Sequence, residues 1–254
     1  MTDVKRHPMT LKPVLYTMPG MADVATREVA YADARAIEVY TPPAATGRLP
    51  AVVFVSGYSD PGGEPFFGCK LKDMASYVSW GRLVAASGMI GVTYTNHEAR
   101  DAHAMLAYLR ANAAALGIDD QRIAIWACSG NVPMAMSLLE GARCAALCYG
   151  FMGDLDGGTE TARAAAMFRF AAPVLALGEL PAIPMFIARA GRDEMPGINT
   201  SIDRFVTAAL ARGLPITLAN HPTGPHSFDL VDDSATTRAL VRQILAFLHI
   251  QLTT

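Results

Sequence analysis

The sequence is poor in charge and lacks any long uninterrupted apolar run. Only 17% of its 254 residues are charged, 23 acids against 21 bases, for a net charge of −2. Lys and Arg nowhere gather into a run, which excludes nucleic acid or an acidic membrane surface as the main partner. Low charge beside 52% hydrophobic residues also excludes a disordered chain. The mean hydropathy is positive, +0.24. Even so, the most apolar window, Ala171 to Ala188, is broken by Pro173, Glu179, Pro181 and Pro184. Nothing approaches the ~20 consecutive apolar residues that span a bilayer. The opening stretch MTDVKRHPMTLKPVLY carries charges without a continuous apolar segment and does not read as a secretory signal.

Cysteine is scarce as well. Cys69, Cys128, Cys144 and Cys148 form no C-x-x-C pair. Cys144 and Cys148 sit four apart in a strand-like run, ~13 Å at strand rise, too far to bridge. Reduced thiols and a cytoplasmic location are expected. Gly62-Gly63 and Gly157-Gly158 lack both a G-x-G-x-x-G frame and a following Lys-Ser/Thr, so they read as turns and not as phosphate cradles. In the stretch from His97 to His103, His97 and Asp101 share a helical face. The pattern is not H-E-x-x-H, however, and His103 falls off that face. Its acids read as partners of a helix dipole. No cofactor and no metal is expected.

What the sequence does contain is alternation. After an irregular arm over residues 1–23, Arg27 to Tyr31 and Ala36 to Tyr40 read as short strands separated by Asp33. Ala51 to Val55 is a continuous apolar run, as a strand buried on both faces requires. Next come a helix from Lys70 to Ala86, a strand from Met89 to Tyr94, and a helix N-capped by Asn96 that runs to Ala115 before Gly117. A strand from Arg122 to Ala127 leads into a helix ending near Glu140. Further strands cover Cys144 to Tyr149, Met185 to Ala190 and Ile216 to Ala219, with helices from Ile198 to Arg212 and Ser234 to His249. No repeat or linker divides the chain, and one domain over residues 1–254 is expected. Such alternation predicts an α/β fold, a mostly parallel sheet with helices on both faces. A chain of this length buries ~70–75% of its unfolded surface, so its core needs no staple. The chemistry of such sheets gathers at the C-terminal ends of the strands.

The most informative segment is Arg122-Ile-Ala-Ile-Trp-Ala-Cys-Ser-Gly-Asn131. A buried strand ends in small-x-Ser-Gly, and a helix with Pro133 in its first turn follows. This is the pattern of a nucleophile elbow, in which Ser sits on a sharp turn between strand and helix. Close backbones demand small residues two before and two after the nucleophile. With Ser129 as nucleophile those places fall to Ala127 and Asn131, whereas Cys128 would put Trp126 at the crowded position. Sterics favour Ser129.

From about Arg27 to the C-terminus the chain resembles the α/β-hydrolase superfamily, in its carboxylesterase and dienelactone-hydrolase-like group. The family's Gly-x-Ser-x-Gly appears as Ala127-Cys128-Ser129-Gly130-Asn131. Both outer glycines are replaced, Asn131 being the residue type other than Gly most tolerant of unusual backbone angles. Dienelactone hydrolases carry a Cys nucleophile, which this frame does not support. The resemblance implies the order Ser, acid, His. The strand Pro184 to Ala190 precedes Gly191-Arg192-Asp193-Glu194, the family's usual place for the acid. Gly224-Pro225-His226-Ser227-Phe228 is similar to its histidine loop. Asp154 and Asp156 compete for the acid role after the preceding strand. His221 competes with His226, although its default reading is a surface histidine.

Two backbone N–H groups are expected to form an oxyanion hole: Gly130, after the nucleophile, and one from the loop Ser56 to Gly63. Gly57 there permits close approach, and Tyr58 is the second donor expected. Residues 151–182 lie where the family often inserts a small cap. Their apolar content, including Met167, Phe168 and Phe170, reads either as a pocket wall or as a helix packed on the sheet. The sum is a serine hydrolase of carboxylic esters working through an acyl-enzyme, its partner a small-molecule ester, its state monomer or homodimer. A peptidase or C–C hydrolase would use the same constellation. A non-catalytic member binding a small ligand in the same cleft is the alternative from another class.

Overall fold

Strands whose central members are apolar and β-branched runs pair into an eight-stranded sheet in the order β1-β2-β4-β3-β5-β6-β7-β8. The computed structural model of the chain describes residues 6–153 and 177–254. β1 (Ala25–Ala32) and β2 (Arg35–Thr41) form an antiparallel hairpin, and β2 meets β4 (Ile90–Tyr94) antiparallel. From β4 onward every pairing is parallel: β3 (Leu49–Phe54), β5 (Ile118–Cys128), β6 (Cys144–Cys148), β7 (Met185–Ala190) and β8 (Ile216–His221).

Alternation along the central strands divides their side chains between two cores. Val53, Ile125, Leu147 and Ile187 face one side, with Met105 and Leu109 of α3 (Arg100–Ala111) and Ile202 and Phe205 of α6 (Ile198–Ala211). Val52, Phe54, Trp126 and Phe186 face the other. There they meet Trp80 and Leu83 of α2 (Ala75–Ala86), and Val241 and Leu248 of α8 (Ala235–Thr253). Helices thus cover both faces, as parallel strands buried on both sides demand. Among the described residues no helix is long and apolar enough to cross a membrane.

Several boundaries depart from expectation. Gly62 and Gly63 are not a turn but lie in the first half of α1 (Asp60–Phe67). Ser59 caps that helix by accepting the Gly62 N–H at 3.2 Å. The expected helix from Lys70 begins only at Ala75, after a 3₁₀ turn at Leu71–Asp73. Asn96 caps no helix. Ala99 stands at the N-cap position of α3 with no capping side chain, while Asp101 in the first turn accepts the N–H groups of His97 at 2.7 Å and Glu98 at 3.2 Å, just ahead of the helix, and pairs with Arg35. α3 breaks at Asn112, and the four-residue α4 (Ala113–Leu116) closes on Gly117 at φ 73°. The helix after Ser129 is short: a 3₁₀ turn, Ser129–Asn131, then α5 (Val132–Met136). α7 (Phe228–Val231) follows the histidine loop. The N-terminal arm holds 3₁₀ turns at Pro8–Leu11 and Met21–Asp23, and Val14 is buried in the α2–α8 core. All four cysteines are free thiols.

Candidate active site

The end of β5 forces the site's sharpest turn. Cys128 is still extended, and the next residue, Ser129, takes φ 54° before the chain enters α5 through Pro133. A left-handed conformation at a residue other than Gly is sparsely populated, and it lifts the Ser129 side chain off the sheet edge. The unusual angle sits on Ser129 itself. Asn131 has φ −86°, so tolerance of strained backbone is not why asparagine stands there.

Opposite Ser129, the loops after β7 and β8 are zipped together. Gly191 N–H donates to His221 O at 2.8 Å, and Arg192 N–H to Gly224 O at 2.9 Å. Gly224 packs so tightly that a Cβ there would lie 2.5 Å from the His221 ring. This fixes His226 and Asp193 relative to one another. Ser129 Oγ lies 2.8 Å from His226 Nε2, and His226 Nδ1 lies 2.7 Å from Asp193 Oδ2. The Asp193 side chain is fully buried, and its other oxygen accepts the Met195 N–H at 2.9 Å. An ionised carboxylate only accepts, so the proton belongs on Nδ1 and the Nε2 lone pair faces the serine hydroxyl.

The structure therefore brings together Ser129, Asp193 and His226. His221 is elsewhere and is not a surface residue: it is 1% exposed. Its Nε2 lies 2.9 Å from Asp232 Oδ2 and 3.0 Å from Thr237 Oγ1, at the N-terminus of α8. Burial pushes the thiol of the partly buried Cys128, the competing nucleophile, up to about 12, with the nearby Asp229 charge acting in the same direction. Such a thiol is not a thiolate near neutrality. Asp154, Asp156, Met167, Phe168 and Phe170 lie outside the described residues, as does most of the 151–182 segment.

Gly130 follows Ser129 in the 3₁₀ turn. Gly57 and Tyr58 lie in the loop after β3, where Gly57 N–H donates to Asn131 Oδ1 at 2.6 Å. Tyr58 packs edge-on against Phe67 of α1, centroids 5.6 Å apart. One further residue borders the histidine without having been legible as a site residue. Tyr149, at the end of β6 with φ 36°, sets its ring 5.2 Å from that of His226 at 71°. Its hydroxyl donates to Asp229 Oδ1 at 2.6 Å, and Trp80 Nε1–H donates to Asp229 Oδ2 at 2.9 Å. Burial pushes the Asp229 carboxyl above its ordinary value, opposed by these two donors.

No family model matches the sequence, and no curated protein does. Among solved structures the chain is similar to the esterase LipW from Mycobacterium marinum, with a TM-score of 0.69 at 18% identity over 92% of this chain and 83% of that one. A bacterial heroin esterase superposes with a TM-score of 0.67 at 16% identity, covering 94% and 88% of the two chains. The thermophilic esterase Est2 from Thermogutta terrifontis gives 0.66 at 17%, covering 91% and 93%. Identities this low establish architecture. The fold is that of the α/β-hydrolases, and Ser129, His226 and Asp193 stand at the C-terminal ends of β5, β8 and β7 within it.

Proposed function

We propose that the protein is a serine hydrolase that cleaves small-molecule carboxylic esters through an acyl-enzyme. The observation that carries this reading is the continuous relay of 2.8 Å from Ser129 Oγ to His226 Nε2 and 2.7 Å from His226 Nδ1 to Asp193. Ser129 Oγ attacks the ester carbonyl while its proton passes to His226 Nε2. Asp193 holds the tautomer and stabilises the imidazolium. The carbonyl electrons collect on the oxyanion, received by the N–H groups of Gly130 and Tyr58. Collapse expels the alkoxide, which takes the proton from His226 and leaves as alcohol. Water then repeats the sequence: it adds to the acyl carbonyl as His226 takes its proton, the acyl–Ser129 bond breaks as Ser129 Oγ takes that proton back from His226, and the carboxylic acid departs.

A serine-directed fluorophosphonate probe and a series of p-nitrophenyl esters test the proposal. The wild-type protein is expected to label and to turn over esters of the series. Ser129→Ala is expected to lose both while its melting temperature stays within a few degrees, since only one hydroxyl goes. Labelling that persists in Ser129→Ala at Cys128 would move the nucleophile by one residue. A wild-type chain inert to both probe and esters would leave a ligand-binding member of the fold.

A further inference from the structure

The residue two beyond the elbow serine departs from the glycine of the family pattern, and the structure supplies a reason. We infer that Asn131 is a positioning residue that clamps the oxyanion loop onto the nucleophile turn. The inference rests on the serine-hydrolase reading and deepens it.

The Asn131 side chain is buried, and both ends of its amide are used. Oδ1 accepts the Gly57 N–H at 2.6 Å. Nδ2 donates to Tyr77 Oη at 3.0 Å, and the Tyr77 hydroxyl donates onward to the Val55 carbonyl at 3.1 Å. The segment Val55–Gly57, leaving β3, is thus tied at both ends to one asparagine. Between those ends, Asn96 Nδ2 donates to the Ser56 carbonyl at 3.0 Å. Contact with the elbow is close enough that a Cβ on Gly57 would lie 3.0 Å from both Gly130 O and Asn131 Cα. Glycine at the elbow position would leave the Gly57 N–H and the Tyr77 hydroxyl without this partner. With asparagine, the Gly57 N–H is spent on the clamp and the Gly57 backbone is held against Gly130, so the donor this loop offers the oxyanion is the next amide along, that of Tyr58. A catalytic donor is most effective when its place is set before the charge develops.

A clamp of this kind acts on the transition state and not on ground-state binding. Asn131→Gly, which restores the second outer glycine of the family elbow, is therefore expected to lower kcat on a p-nitrophenyl ester by roughly 10- to 100-fold, short of the ~10²–10³ for deleting a donor outright. KM is expected to stay within about twofold. Affinity for a boronic acid or trifluoromethyl ketone inhibitor is expected to fall in step with kcat/KM, while the carboxylic acid product binds as before. Tyr77→Phe, which frees the Asn131 amide to turn, is expected to show a smaller loss of the same kind. Combined with Asn131→Gly it is expected to add little. If Asn131→Gly does not fold, Tyr77→Phe alone carries the kcat and inhibitor comparison. A loss confined to KM, equal weakening of product and inhibitor, or unchanged kcat in an active enzyme would overturn the clamp alone. A wild-type protein inert to probe and ester defeats the hydrolase reading, and the clamp with it.

Discussion

At the residue scale, the site turns on two histidines five positions apart whose surroundings differ completely. His226 reaches Ser129 on one side and Asp193 on the other, whereas His221 is enclosed among Asp232, Thr237 and Phe228. Replacing Asp193 by Asn would turn an amide toward His226 Nδ1 and favour the wrong tautomer. A fall in kcat of ~10⁴ is expected, the precedent for such a change. Steady-state kinetics check it, and a loss below tenfold would remove Asp193 from the relay. His221→Gln is expected to act on stability instead, costing about 1–3 kcal/mol through its lost buried partners. Its kcat/KM on a p-nitrophenyl ester should stay close to that of wild type. Ser129, Asp193 and His226 were legible because each follows its own strand in a short, distinctive loop. Asn131 was visible only as a departure. Its function depends on Gly57 and Tyr77, 74 and 54 residues away along the chain, and no local pattern carries that. His221 was misread for the same reason, since its partners come from the next helix.

At the scale of elements, strands were read more accurately than helix starts. A run such as Ala51–Val55, short, rich in Val and bounded by Pro50 and Gly57, reads as a strand buried on both faces. Helix starts depend on which side chain meets the free N–H groups; α3 begins at Arg100 with no capping side chain, and Asn96 instead donates its amide to the Ser56 carbonyl. α1 was missed because Pro61, Gly62, Gly63 and Pro65 all disfavour a helix. It forms with Pro61 in the first turn, where a missing N–H costs nothing, and with Ser59 as cap. The start of α8 shows what a cap network does for stability. Ser234 accepts the Thr237 N–H at 3.2 Å, and Asp232 accepts the Thr237 hydroxyl at 2.6 Å and the Ser234 hydroxyl at 2.7 Å. The Thr237 hydroxyl foremost, then Ser234 and His221, hold the Asp232 carboxyl below its ordinary value. A carboxyl depressed on folding contributes stability above its unfolded value of ~3.9, and loses that contribution as pH falls through the folded value. Thermal melts from about pH 5 downward should therefore decline more steeply in wild type than in Asp232→Asn. Parallel curves for the two proteins would show that this carboxylate is not coupled to folding.

At the scale of the whole molecule, the architecture survives at 16–18% identity to the superposed esterases, because what it requires is a pattern of burial and not particular residues. Two cores on opposite faces hold the sheet rigid, and the loops after β3, β5, β7 and β8 converge at its C-terminal edge, as parallel sheets arrange them. One buried group links distant parts of this frame to the site. Asp229, 2% exposed, accepts from Trp80 of α2 and Tyr149 at the end of β6. Its carbonyl receives the Leu15 N–H of the N-terminal arm at 2.8 Å. It stands three residues beyond His226, whose ring abuts Tyr149. Removing the carboxylate strands two buried donors, each at a cost of about 1–3 kcal/mol. Asp229→Ala is therefore expected to lose roughly 2–6 kcal/mol, which for a chain near this size lowers the melting temperature by about 4–24 °C. Asp229→Asn keeps one acceptor and also relieves the burial of a charge, so its loss should be clearly smaller. Tyr149→Phe removes one of the two donors together with its bond and should recover part of the stability lost in Asp229→Ala when the two are combined. Strictly additive losses in that double variant, measured by denaturant or thermal unfolding, would mean that Asp229 and Tyr149 stabilise the fold independently.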